Sequence, residues 1–405
     1  MNPDALLASG STLAQPLIEF GFLMLGLGIL ARVAAKFGFS PVPLYLLVGL
    51  AFGEGGIAPL GVNQSFVRVA AEIGAVLLLL MLGLEYSGDE LLGTVKQQWR
   101  AGLLDIVLNS LPGVICGLLL GWGVLGAVAL GGITYISSSG IVAQVVRDLG
   151  WKRKPEVRGV VGLLIVEDIV MAPYLPIVTA LAVGAGVLGG LISVGVALLV
   201  VAIVLFLAVR KRTMANKLLD ANQPLALLLT LFGAAVAVAG VALYFGFSSA
   251  VAAFLVGLLF TDEVALAARK GLAPLRDLFA AVFFVFLGLN TDPGDIPGVW
   301  WVALGLAAAG IATKMITGRI VAGHAGSHSR GPWRAGALLS ARGEFSVVIA
   351  GIVAVGPNSP PTLLALTTTY VLITAIAGPV MARLVEPVMN WRERTSRGAG
   401  KGAVT

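Results

Sequence analysis

Long apolar runs, separated by short charged or Gly/Pro-rich breaks, fill most of the chain. Thirteen can be marked, at about residues 15–34, 41–53, 67–86, 102–121, 126–147, 158–181, 188–209, 223–245, 248–261, 275–290, 299–321, 334–355 and 362–383. A straight crossing of the bilayer core takes about 20 apolar residues; most runs approach this, whereas 41–53 and 248–261 fall well short. The pattern predicts an all-α polytopic membrane protein with thirteen transmembrane helices. Composition agrees: 58% of the 405 residues are hydrophobic and 12% charged, too little charge to cover a soluble domain of this size. The 53 glycines suit helices that pack closely where lipid supplies no hydrophobic drive between them.

Charge gives these helices a direction. With the N-terminus outside, the inner connections and the tail hold all but three of the 27 Lys and Arg residues, 24 in number. The three are Arg68 at an outer helix end, and Lys314 and Arg342 within helices. Short cytoplasmic loops concentrate Lys and Arg, so the count predicts N outside and C inside. The net charge of +6 is thereby a membrane-side charge, and no nucleic-acid partner is expected. The N-terminus carries Asp4 and no basic stretch, so the first run is expected to stay as a helix rather than be cleaved as a signal peptide. The single Cys116 excludes a disulfide within the chain and a multi-cysteine metal site.

The two halves echo each other. Val48-Gly49-Leu50 recurs as Val256-Gly257-Leu258, Leu82-Gly83-Leu84-Glu85 as Leu287-Gly288-Leu289-Asn290, and Ser137-Ser138-Ser139-Gly140 has a counterpart in Ser340-Ala341-Arg342-Gly343. The offsets are 208, 205 and about 203 residues. Each unit then holds six helices, with repeat one at about 15–181, a linker helix at about 188–209 and repeat two at about 223–383. An odd number of helices separates matching members, so the repeats are inverted. Such repeats place a transport site at mid-membrane, between discontinuous helices. The fifth and twelfth runs are the expected broken pair, because both bring Gly and hydroxyl residues to mid-membrane depth. Ser and Gly also serve as plain interhelical packing residues. The membrane domain is expected over 1–389, followed by a short basic tail over 390–405.

The charges buried by this arrangement are the candidate chemistry. They are Glu167 and Asp168 in the sixth run, Lys314 in the eleventh, and Arg342 and Glu344 in the twelfth; Glu72 and Asp105 are shallower, and Glu19 lies in the first run. A carboxylate at mid-membrane costs about 2.5–3.5 kcal/mol on insertion scales, so such groups are paired or used. Asp168 is the candidate that binds a monovalent cation and a proton by turns, since burial lets a carboxylate compete for protons. Glu167 shares the proton, tunes Asp168 or pairs elsewhere. Ser137, Ser138, Ser139 and Gly140 offer hydroxyls and backbone carbonyls to the ion. Lys314 either releases Asp168 when a cation arrives or neutralises it permanently. Arg342 is expected to pair with Glu344 and hold the crossover. Pro173 and Pro176 follow the acids and are expected to kink the sixth helix. Asp105 and Asn109, four residues apart on one face, line an inner vestibule or make a satisfied packing contact.

Taken together, Leu82-Gly83-Leu84-Glu85, Ser137-Ser138-Ser139-Gly140, Glu167-Asp168-Ile169, Phe283-Phe284-Val285-Phe286-Leu287-Gly288-Leu289, Lys314 and Gly343-Glu344-Phe345 resemble the Kef-type monovalent cation:proton antiporters. The resemblance spans nearly the whole membrane region. It implies an antiporter fold with a scaffold/dimerisation domain and a six-helix core containing the crossed broken pair. It implies a homodimer in the cell membrane, elevator-like alternating access, and Asp168 at the essential acid. No cofactor is implied; K⁺ or Na⁺ and H⁺ are the cargo, with potassium first and sodium second. Kef-type chains commonly carry Gln-Asp, and electrogenic sodium relatives Asp-Asp, where this chain has Glu167-Asp168. Some relatives use a separate cytosolic regulatory subunit. The basic tail (Arg392, Arg394, Arg397 and Lys401) could receive one, or rest on anionic lipid.

Two other classes fit the residues less well. A regulated K⁺ channel needs a filter repeated about an axis, and no such loop is present. A membrane serine hydrolase would need a base near Ser137, but His324 and His328 both precede the twelfth run. The chain is read as a secondary transporter, not an enzyme.

Overall fold

The computed structural model describes residues 3–37, 41–53, 56, 64–84, 88–183, 195, 221, 223–244, 249–260, 262–327 and 329–401. These form helices α1 (Pro3–Phe37), α2 (Val42–Phe52), α3 (Gln64–Gly83), α4 (Gly88–Leu119), α5 (Gly123–Tyr135), α6 (Ser139–Asp148), α7 (Pro155–Val183), α8 (Pro224–Tyr244), α9 (Ser249–Leu258), α10 (Asp262–Leu289), α11 (Ile296–His324), α12 (Gly331–Leu339), α13 (Glu344–Ala354) and α14 (Leu363–Lys401). Among the described residues there is no strand. Seven spans among them are long and apolar enough to cross a membrane, with α5 and α6 counting as one. The expected linker helix at 188–209 lies outside the described residues apart from Gly195.

Most apolar runs appear as helices, but three helices begin well before their runs: α1 at Pro3, α4 at Gly88 and α10 at Asp262. In α10 the extension has a visible cause. Val264, Ala265, Ala268 and Leu272 recur at helical spacing and are buried, so the amphipathic pattern carries the helix through Arg269 and Lys270, which were expected in a loop. At 11 and 10 residues, α2 and α9 are each about 15 Å long, half a bilayer core. The backbone of α14 continues as helix beyond the apolar run, to Lys401. Helix α7 runs unbroken through Pro173 and Pro176.

The helices gather into two compact units, α1–α3 with α8–α10, and α4–α7 with α11–α14. In the first unit, α2 crosses α10 and α3 crosses α9. Glycine makes both crossings. A Cβ on Gly49 would come within 2.6 Å of the Gly288 Cα, and one on Gly257 within 2.8 Å of the Gly83 Cα. Main chain therefore lies on main chain. Val76, Leu77, Leu80, Leu231, Ala253 and Leu272 fill the space around α3 and α9. Glu72 accepts a hydrogen bond from the Ser249 hydroxyl at 2.9 Å. The side chain of Glu19 is outside the described set.

The second unit contains both broken spans. Helices α4, α7 and α11 pack around α5, and α14 packs on α11, α12 and α13. A Cβ on Gly318 of α11 would meet the Gly336 Cα of α12 at 2.5 Å, so small residues again set the helix spacing.

Candidate functional site

The fifth run stops being helical after Tyr135 and resumes at Ser139; the twelfth stops after Leu339 and resumes at Glu344. Ser and Gly at these points favour the break, because hydroxyls compete for backbone groups and glycine lets chains approach. The two gaps touch: the Ser138 N–H donates to the Ala341 carbonyl at 2.9 Å. A Cβ on Gly343 would meet the Ser138 Oγ at 2.5 Å. Ser138 also caps α6, its Oγ accepting the Ile141 N–H at 3.3 Å, the N-cap to N3 geometry. The Ser346 hydroxyl donates to the Ile133 carbonyl at 2.9 Å. Ser139 is half-buried and Gly140 is exposed, so the four residues of the motif do not share one environment.

The Arg342 guanidinium donates to carbonyls: Nε and Nη2 to Thr134 at 3.1 and 2.8 Å, and Nη1 to Leu339 at 2.8 Å. These are last-turn carbonyls of α5 and α12, where the helix dipole is negative. A fully buried cation thus neutralises the C-terminal ends of both half-helices at once. The Glu344 side chain lies outside the described set, so its expected pairing does too.

Lys314 was expected to face Asp168. Its ammonium donates to Asp105 Oδ1 and Oδ2, both at 2.9 Å, and to Glu167 Oε1 at 2.9 Å. All three side chains are fully buried. Glu167 is further held by the Ser137 N–H, donating to Oε2 at 2.6 Å, and by the Ser137 hydroxyl at 3.1 Å from Oε1. That hydroxyl also lies 3.0 Å from the Leu339 carbonyl. Ser137 thus serves Glu167 and ties it to the break in α12. Asp168, the next residue along α7, is buried and points about 100° away around the helix. Lys314 Nζ is 5.6 Å from the Tyr135 ring centre.

Asp105 was expected, with Asn109, to line an inner vestibule or make a satisfied packing contact; its contact with Lys314 was not expected. Asp105 is fully buried, accepts from Asn109 Nδ2 at 2.8 Å, and belongs to the central ion cluster. The available signal was the charge of Lys314, which asked for a partner on every helix packed against α11. A second cluster, Glu156, Arg334 and Glu386, was also missed, because Arg334 had been counted as a loop charge. The Arg334 Nη1 donates to Glu156 Oε1 at 2.8 Å and its Nε to Glu386 Oε1 at 2.7 Å.

Comparison with known proteins decides what this machinery belongs to. Residues 22–386 match the family model described as "Sodium/hydrogen exchanger, transmembrane". The K(+)/H(+) antiporter subunit KhtU of Bacillus subtilis is 32% identical over 95% of this chain and 98% of its own. The chain is a Kef-type cation:proton antiporter. The ammonium/H(+) antiporter subunit AmhT of Alkalihalophilus pseudofirmus is 29% identical to the antiporter over 92% of its chain and 94% of the relative. The glutathione-regulated potassium-efflux system protein KefC of Salmonella paratyphi B is 26% identical, and 63% of its length is matched. The fold of the antiporter is that of the sodium proton antiporter MjNhaP1 from Methanocaldococcus jannaschii, at a TM-score of 0.63 and 18% identity, covering 91% of this chain and 99% of the other. The antiporter is therefore a multi-pass membrane protein and a secondary transporter, not an enzyme.

Proposed function

We propose that the antiporter exchanges K⁺ for H⁺ at Asp168. The observation that carries this is the buried position of Asp168 beside an acid, Glu167, already engaged by Lys314 and Ser137. Of the two acids at mid-membrane, Asp168 takes the cation in exchange for a proton, and Glu167 positions the charge around it. Ser138 and the unwound backbone near it supply further oxygen ligands. Potassium is favoured by the K(+)/H(+) exchange named for KhtU; sodium, named for MjNhaP1, is the alternative, and ammonium, named for AmhT, belongs in the same test.

The full protein in this reading has thirteen transmembrane helices, with the N-terminus outside, the C-terminus in the cytoplasm, and the plasma membrane as its site. Two inverted repeats build it. Exchanging Gly49 with Gly257 and Gly83 with Gly288 turns the α2–α10 contact into the α9–α3 contact, which supports that internal symmetry. The unit with the broken helices is the moving core of an elevator cycle, and the other is the scaffold through which two copies form a homodimer. KhtU and AmhT are both named as subunits, which favours a separate regulatory partner for this chain.

The test is dissipation of a preset pH gradient in proteoliposomes on adding K⁺, Na⁺, Li⁺ or NH₄⁺. Wild type should respond most strongly to K⁺, and Asp168→Asn should respond to none of them. Cation-driven exchange surviving in Asp168→Asn would remove that residue from its role.

A further inference from the structure

We infer that Asp105 is a positioning residue for ion exchange: it anchors the Lys314 ammonium toward α4 and Glu167 and so keeps it off Asp168. This rests on Asp168 being the exchanging acid, as proposed above. A lysine ammonium is a point charge with three N–H donors, and its three contacts, on Asp105 Oδ1, Asp105 Oδ2 and Glu167 Oε1, each at 2.9 Å, direct it at these two carboxylates. A Lys314–Glu167 pair alone would already be neutral. The second acid is thus not needed to balance Lys314, and a buried extra anion is costly to keep without a use. Its use is geometric. The lysine stem is flexible, and its partner Glu167 is directly followed by Asp168.

Asp105 is itself bracketed. Asn109 Nδ2 donates to its Oδ1 at 2.8 Å and lies 3.4 Å from the Thr317 hydroxyl, while the Thr313 hydroxyl donates to Asn109 Oδ1 at 2.7 Å. Thr313 and Thr317 flank Lys314 on α11, so the helix that carries the ammonium also fixes the amide that orients its anchor. With Asp105 charged, the trio of Asp105, Lys314 and Glu167 presents a net charge of −1 when both acids are ionised, which favours a cation at the neighbouring Asp168. Without it, the trio becomes a neutral pair, and Lys314 gains a free donor that competes with the cation for Asp168.

The test compares Asp105→Asn, Asp105→Glu and wild type, each as the full chain in proteoliposomes, with K⁺, Na⁺ or NH₄⁺, whichever wild type exchanges. Asp105→Asn should raise the half-saturating cation concentration about tenfold or more, the scale expected when one buried unit charge near the ion is lost, with a much smaller change in maximal rate. Asp105→Glu should restore the half-saturating concentration to within about threefold of wild type. An unchanged half-saturating concentration in Asp105→Asn, whether the maximal rate falls or holds, would overturn the inference. Should Asp105→Asn not reconstitute, Thr313→Val decides: loosening Asn109 should raise the half-saturating concentration, and no rise counts against the role. Asp168→Asn separates the two readings. Exchange persisting there defeats the parent assignment. Loss of exchange there, with unaltered cation dependence in Asp105→Asn, defeats this inference alone.

Discussion

Removing the Arg334 guanidinium should destabilise the antiporter by about 4 kcal/mol, most of it through Glu156. Glu156 is fully buried; it accepts from Arg334 Nη1 at 2.8 Å and from the Ser327 hydroxyl at 2.9 Å. Deleting one member of a buried ion pair costs about 3–5 kcal/mol, because the other charge stays behind. The contact to Glu386 contributes little: that carboxylate is 33% exposed and keeps Arg330 at 2.5 Å, and such pairs are worth about 0–1 kcal/mol. The guanidinium also lies 5.4 Å from the Trp151 ring centre, worth about 0.5–1 kcal/mol. In Arg334→Met the long apolar side chain recovers part of the packing, which puts the total near the lower end. Glu156→Gln should cost less, about 1–2 kcal/mol, since Arg334 retains Glu386. The double variant should be less destabilised than the sum of the singles by about 1.5 kcal/mol or more, because no unpaired charge remains. The assay is SDS-titrated unfolding in mixed micelles at neutral pH. Additive effects, or an Arg334→Met variant within about 1 kcal/mol of wild type, would refute the reasoning.

Three further outcomes are expected. Gly257→Leu should destabilise by about 3 kcal/mol or more, because its Cβ would come within 2.5 Å of the Leu80 carbonyl and 2.8 Å of the Gly83 Cα; Gly271→Ala, whose Cβ meets only Leu228 Cδ1 at 3.7 Å, should be neutral or stabilising in the same unfolding titration. Arg342→Met should lose about 2–5 kcal/mol, since the buried Thr134 and Leu339 carbonyls each lose donors, and Arg342→Lys should fall between it and wild type. Ser138→Ala should cost about 1 kcal/mol through loss of the α6 cap, read as a lowered unfolding midpoint; an unchanged midpoint would mean that the 3.3 Å contact to Ile141 contributes nothing.

Helix positions and the two breaks were legible because they are written in local chemistry. Apolar runs need no partner to be recognised, and Ser137-Ser138 and Arg342-Gly343 interrupt theirs wherever they fold. The buried charges of α7 and α11 were also visible one by one. Their pairing was not, since it depends on which helices meet. Lys314 lies 147 residues from Glu167 and 209 from Asp105, and only packing tells which acid an ammonium reaches. Arg342 shows the same limit in a different form. Its donors satisfy carbonyls that exist as orphans only because two helices end there, a role that no sequence neighbour announces. Arg334 was misread for a third reason: membrane-topology counting treats every terminal Arg alike, whether it is solvated or, as here, buried against Glu156.

Where α2 meets α10 and α3 meets α9, peptide planes rest against each other with no side chain between them. Such seams have no rotamers through which to yield, so sliding one helix along the other would drive carbonyl into Cα. During transport these pairs should hold as welded cross-braces of one rigid unit, and spin labels placed on either side of each seam should report one unchanging separation in every state of the cycle.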